Sequence, residues 1–446
     1  MSRHRYITAA IWIVLLGATG LKAQAPPGTS VSQTATPQAT SAIALTLADA
    51  LNRAKINSPQ FQAALTQFGL AREDRVQARA ALLPNIQYTN SFIYTQGNGA
   101  TGAYIANNGV HEYISQGIAH EALGFGSFAD YQRTVAAQAL AKARAEVAAR
   151  GLGVTVVQLF YGLLAAREKT LNIQRATNEA QRFLDLSKKL EAGGEVAHSD
   201  VIKAQIQAND AARQLQDTKL AEQNARLSLA VLLFPNFFQD FTLVDDLSSA
   251  APLPDRITVE QLARKNNPEL QGAFAALTIA NKEVTVAKAG HLPSLTIDMF
   301  YGIDANQFAT EDRNGLRNLG YAGAATLNIP IFNWGATQSK VKQAELQRHQ
   351  AQVELSAAQR AALADFQSFY AEAQTALAQI DTLRSSAELA AESLRLTNLR
   401  YQAGEATALE VVDAQNTLTV ARNALHDGEA RYHIGIANLQ TLTGTF

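Results

Sequence analysis

Two carboxylates three residues apart, Glu410 and Asp413, lie just past a lone glycine in the stretch Tyr401 to Gln415, YQAGEATALEVVDAQ. Acids beside a break in a helical run suit the start of a returning helix. Thr407-Ala408-Leu409-Glu410 has the spacing of a capping box, and acids in a first helical turn are stabilised by the helix dipole. The other chemical candidates are weaker. His198-Ser199-Asp200 is contiguous, whereas the members of a catalytic triad converge from separate places, so it reads as a solvated helix start. His111-Glu112 and His120-Glu121 lack the i, i+4 histidines of a zinc hydrolase. GLGV at 151 and GFGS at 124 are half of a dinucleotide fingerprint. With no cysteine and only two methionines, a soft-metal relay has little to work with, and neither a metal nor a cofactor is expected.

The elements that position the acids are long. Residues 336 to 403, 68 in all, contain no glycine or proline, and as one helix would extend ~100 Å. Beyond Gly404 the apolar or small residues Val411, Ala414, Leu418, Ala421, Leu425, Gly428, Tyr432, Gly435, Leu439 and Leu442 are spaced 3,4,3,4, a heptad seam for close helix packing. The same design occurs earlier in the chain. Residues 59 to 84 align with 268 to 293 at an offset of 209, and Gly194 to Leu232 with Gly404 to Leu442 at an offset of 210. Two equivalent halves follow, with Asp200 in the place of Glu410.

Each half opens a helix at Ser58-Pro59 or Asn267-Pro268, an N-cap followed by proline at the first helical position, and ends it near Pro84 or Pro293. Alternation of period two comes next: Ile86, Tyr88, Phe92 and Tyr94, or Leu295, Ile297, Met299, Tyr301 and Ile303, each set on one face. Gly/Asn-rich loops at 97 to 109 and 305 to 315 lead to a second strand, clear at Tyr321 to Ile331 and poorly alternating at 111 to 123. Phe332 and Trp334 close the second pair as interfacial aromatics do. Four strands cannot close a membrane barrel alone, so strands in a membrane require several chains.

The chain has 446 residues, 47% of them hydrophobic, and a formal net charge of -1, which gives no pull toward nucleic acid. Residues 1–25 have the layout of a secretory signal, with cleavage after Ala25 or Ala23. Without cysteine there is no disulfide and no lipid anchor at a lipobox, and no later run of ~18 apolar residues is expected to cross a membrane as a helix. The expected organisation is a low-complexity extension at 26–44, a first repeat at 45–234, an irregular connector at 235–256 and a second repeat at 257–444.

The order NSP or NNP, a helix to LLP or HLP, a strand pair, LNIPIFNWGATQSKVKQAE (327 to 345), YQAGEATALEVVDAQ and a terminal IANLQTLTG resembles the TolC family of bacterial outer-membrane efflux proteins, over about residues 45 to 444. The resemblance implies a mixed fold: a homotrimer with a 12-stranded β-barrel in outer-membrane lipid and a 12-helix periplasmic tunnel, docked onto an adaptor and an inner-membrane pump, with no enzymatic activity. It also implies site residues. Glu410 and Asp413 would line the constriction at the tunnel tip, setting ion selectivity. Tyr401 and Asp200 would latch the tip closed, while Ala406 stands where the family has a latching arginine. Gly193, Gly194, Glu195, Gly404 and Glu405 would contact the adaptor, or the glycines would simply permit the turns. The rival reading, a periplasmic coiled-coil adaptor, predicts one hairpin and no membrane-facing strands.

Overall fold

The computed structural model describes residues 43–94, 111–244, 246–249 and 251–444. The expected signal, nearly all of the extension and the loop at 97 to 109 lie outside the described residues. Every long element occurs twice. The first set is α1 (Leu47–Asn57), α2 (Pro59–Ala80), β2 (Asn85–Tyr94), β3 (His111–Leu123), α3 (Phe125–Ala192) and α4 (His198–Leu233), preceded by a short strand, β1 (Ile43–Leu45). After a short β4 (Phe241–Leu243) come α5 (Arg256–Asn266), α6 (Pro268–Ala289), β5 (Ser294–Ala305), β6 (Leu319–Asn328), α7 (Ala336–Gln402) and α8 (Ala408–Thr443). Corresponding helices match closely in length: 11 and 11 residues, 22 and 22, 68 and 67, 36 and 36.

Local chemistry accounts for the helix starts. Ser58 Oγ accepts the Phe61 N–H, and Asn267 Oδ1 accepts those of Glu269 and Leu270, each ahead of a proline at the first helical position. The heptad seam of α8 is buried at Val411, Ala414, Leu418, Gly428, Tyr432, Gly435, Leu439 and Leu442. Small residues there bring α7 close: a Cβ on Gly435 would sit 3.2 Å from the Ala373 Cα.

Strands β2, β3, β5 and β6 form one antiparallel sheet in that order. Register puts Tyr88 opposite Gly117, Gly117 opposite Tyr301, and Tyr301 opposite Tyr321, so the apolar sets of all four strands share one face. On that face Tyr321 is 88% exposed, and beyond β6 Ile331 and Trp334 are 92% and 91% exposed. The opposite face carries Gln87, Gln116, His120, Asp298 and Thr326, with His120 Nδ1 2.6 Å from Asp298 Oδ1. The poor alternation of β3 has a cause: Ser115 falls on the apolar face, where the Tyr88 hydroxyl and Asn90 Oδ1 each lie 2.7 Å from its oxygen. Strands β3 and β5 meet so closely that a Cβ on Gly302 would lie 2.3 Å from the Ser115 carbonyl oxygen.

Two expectations are corrected. The connector is not irregular throughout: β4 pairs in parallel with β1, and both feed a core with Phe160, Leu164, Leu229 and Leu233. Polar side chains hold the rest of it as a strap: Tyr161 donates to Asp246 Oδ2 at 3.2 Å, Tyr370 to the Pro254 carbonyl at 3.2 Å, and Tyr432 to the Ala251 carbonyl, while His433 Nε2 donates to the Leu247 carbonyl at 3.0 Å. One stretch of α3 is also apolar enough by length and composition to cross a membrane, against the expectation that none is. Val156, Phe160 and Leu164 of α3 are nevertheless buried in the core beside β4, which accounts for apolar character in that helix.

Candidate pore constriction and tip latch

Helices α3 and α4, and α7 and α8, form two hairpins, and their turns are built alike. Gly194 has φ +77° and Gly404 φ +78°, the left-handed conformation that glycine adopts without strain. The Glu195 N–H donates to the Leu190 carbonyl at 2.9 Å and the Glu405 N–H to the Arg400 carbonyl at 2.8 Å, the six-residue closure of a Schellman motif. These two glycines are thus required by conformation. Gly193 is not: it adopts ordinary right-handed backbone, as does its counterpart Ala403. Residues Gly193, Gly194, Glu195, Gly404 and Glu405 are all exposed at the turns.

The returning helices start differently. Thr407 caps α8, accepting the Glu410 N–H, while Glu410 Oε1 accepts the Thr407 N–H at 3.0 Å, so the capping box is complete. These backbone and hydroxyl bonds, aided by Arg400, hold the Glu410 carboxyl below its usual pKa range. Helix α4 has Ala197 at its N-cap and so no side-chain cap, and Asp200 pairs with Lys203 at 3.3 Å. Asp413 is exposed on the next turn of α8.

Tyr401 is 2% exposed, and its hydroxyl lies 3.0 Å from Ser187 Oγ, with its ring 5.0 Å from that of Phe183. The expected pairing of Tyr401 with Asp200 is therefore not made within the chain. Tyr401 lies in the last turn of α7, packed inward among Ala180, Leu184, Val411 and Ala414, whereas Asp200 sits at the start of α4 beside its own lysine. A buried bond still joins the two hairpins, through a serine that the sequence did not mark. Arg400 was also missed. Its Nη1 donates to Glu410 Oε2 at 3.3 Å and its Nη2 to the Glu405 carbonyl at 3.0 Å. The available signal was a basic residue in the last turn of α7, the place where cations meet helix carbonyls. Farther up, Asn172 of α3 donates to Asn423 Oδ1 of α8 at 2.9 Å, and Gln207 of α4 to Asn416 Oδ1 at 3.0 Å. Among the described residues no group of three or more His, Cys, Asp or Glu is placed to hold a metal ion.

The chain is 24% identical over 421 residues to the proteases secretion protein PrtF of Dickeya chrysanthemi, covering 91% of this chain and 89% of that protein. It is 24% identical over 407 residues to the outer membrane protein TolC of Vibrio cholerae, covering 90% of each. The solved Campylobacter jejuni CmeC outer membrane channel shares the fold, with a TM-score of 0.75 at 18% identity over 89% of this chain and 85% of that one. The sequence profile of the outer membrane efflux proteins matches residues 50–233 and 259–445, one match per set of repeated elements, and the chain belongs to that family.

Proposed function

We propose that the chain is one third of an outer-membrane exit duct, which receives small molecules or secreted protein from an inner-membrane pump through a periplasmic adaptor. The observation that carries the trimer is that the same two sides of the chain are left open at every level. In the sheet, β2 and β6 are the edges and run in opposite directions, so β6 beside the β2 of another copy continues the antiparallel pattern. Backbone groups on those edges need partners in lipid. Among the helices, α2 packs on α3, α3 on α6 and α6 on α7; below, α3 packs on α4 and α8, and α8 on α7. That leaves α2 and α4 on one side and α7 on the other, with Leu70, Ile206 and Val231 exposed on the first and Val353, Leu389 and Leu396 on the second. A head-to-tail contact of this kind closes into a ring when its rotation allows. Three copies of the four-stranded sheet make the 12-stranded barrel, and three copies of the four long helices the 12-helix tunnel.

In this reading the first two turns of α4 and α8 surround the constriction, where Glu410 and Asp413 lie. The Tyr401–Ser187 bond holds the two hairpins together at the closed tip, and the exposed turns at Gly193, Gly194, Glu195, Gly404 and Glu405 meet the adaptor. Reconstitution of the purified protein into planar bilayers tests it. A defined single-channel conductance is expected, and inserted, folded protein that never conducts would overturn the reading.

A further inference from the structure

Four charged side chains lie where α7 turns into α8: Glu405 at the exposed turn itself, and Arg400, Glu410 and Asp413 on the helix ends, where they are not equivalent. Glu410 is fully engaged: Oε1 accepts the Thr407 N–H at 3.0 Å and its hydroxyl at 3.1 Å, and Oε2 accepts Arg400 Nη1 at 3.3 Å. The other arm of the same guanidinium donates to the Glu405 carbonyl at 3.0 Å. Arg400 thus brackets the glycine turn, from the last turn of α7 to the first turn of α8, using the fork geometry that a lysine lacks. Asp413 is exposed on the following turn and makes no ion pair with any described residue. In the first half, Lys203 stands at the repeat position of Asp413, since 413 less the offset of 210 is 203, and it neutralises Asp200. The first two turns of the two returning helices therefore hold two compensated acids, Asp200 and Glu410, and one that is not, Asp413.

We propose that Arg400 sets the charge selectivity of the constriction: it neutralises Glu410 and holds that carboxylate against the turn, leaving Asp413 to act on passing ions. The inference rests on the duct reading above. Arg400 touches no ion itself, so it is a positioning residue, and its effect is read on ion preference rather than on conductance alone. The Arg400–Glu410 pair is exposed at both ends, with side chains 53% and 44% accessible, so it adds little stability and its loss leaves assembly intact.

The test is the reversal potential of reconstituted wild-type and variant trimers across a potassium chloride gradient. Arg400→Gln frees three Glu410 carboxylates and raises the preference for potassium over chloride by roughly threefold, the order for three added unit charges acting through screened water. Arg400→Lys, which keeps the charge but not the fork, raises it less. Adding Glu410→Gln to Arg400→Gln cancels the gain, and Asp413→Asn abolishes most of the wild-type preference. An unchanged preference in Arg400→Gln, or a gain that persists in the double variant, overturns the proposal. Conducting pores whose preference ignores Asp413→Asn overturn it as well while leaving the duct intact; wild-type protein that never conducts refutes the duct itself.

Discussion

Replacing Tyr401 by phenylalanine tests whether the closed tip depends on the bond to Ser187. The ring keeps its packing on Phe183, 5.0 Å away, and only the hydroxyl is lost. Ser187 is fully buried, so its oxygen loses a partner in a dry site, although a serine in a helix can fall back on the carbonyl four residues earlier. Loss of a neutral hydrogen bond with partial rescue costs about 1–2 kcal/mol. If three tips open together, the closed state loses ~3–6 kcal/mol per trimer, and at 1.4 kcal/mol per tenfold the open fraction rises by about 10² to 10⁴. Single-channel recording reads this as open probability, with uptake of a bulky antibiotic by cells as a second measure. A double-mutant cycle identifies the partner: Ser187→Ala with Tyr401→Phe costs less than the sum of the two, whereas Asp200→Asn with Tyr401→Phe is additive. Unchanged gating in Tyr401→Phe, or coupling to Asp200 and none to Ser187, would mean that the Tyr401–Ser187 bond does not hold the tip closed.

Three further outcomes are expected. Gly404→Ala places a side chain at φ +78° with nothing within 4 Å of its Cβ, so the cost is backbone strain alone, ~1 kcal/mol, visible as a lower melting temperature. Gly302→Ala drives a Cβ to 2.3 Å from one backbone atom of β3 and 2.4 Å from another, which no rotamer relieves. Strands β3 and β5 must separate at a cost of ~3 kcal/mol or more, and the yield of folded protein in the outer membrane falls sharply. Burial lowers the His433 pKa, against the opposing pull of the Leu247 carbonyl, Asp246 and Glu429. The neutral ring stacks on Tyr161 at 4.0 Å. The unfolded chain therefore takes up this proton first as pH falls. Stability from this site is full above ~6.5, declines below it, and levels off once the folded imidazole protonates. Thermal melts from pH 8 to 5 show that decline, and His433→Phe flattens it.

The legible part of this protein was whatever repeats or obeys a local rule. The N-caps at Ser58, Asn267 and Thr407, the left-handed glycines and the seam from Val411 to Leu442 all act within a few residues, so spacing reveals them. The offset of 210 doubled each signal. What sequence could not show was pairing across distance. Ser187 and Tyr401 are 214 residues apart, and nothing near Ser187 marks it. The strand at Phe241–Leu243 is three residues long and exists because Ile43–Leu45 lies beside it, a contact without periodicity. Transferring the latch to Asp200 failed within the chain because the repeat aligns backbone positions, while Lys203 and the inward packing of Tyr401 decide where side chains go.

Native mass spectrometry of protein extracted by detergent from a gradient-separated outer-membrane fraction counts the chains in the duct. Three copies of a chain of at most 47.9 kDa are expected there. A monomer or dimer there would leave the edges of β2 and β6 unpaired in lipid and contradict the trimeric duct.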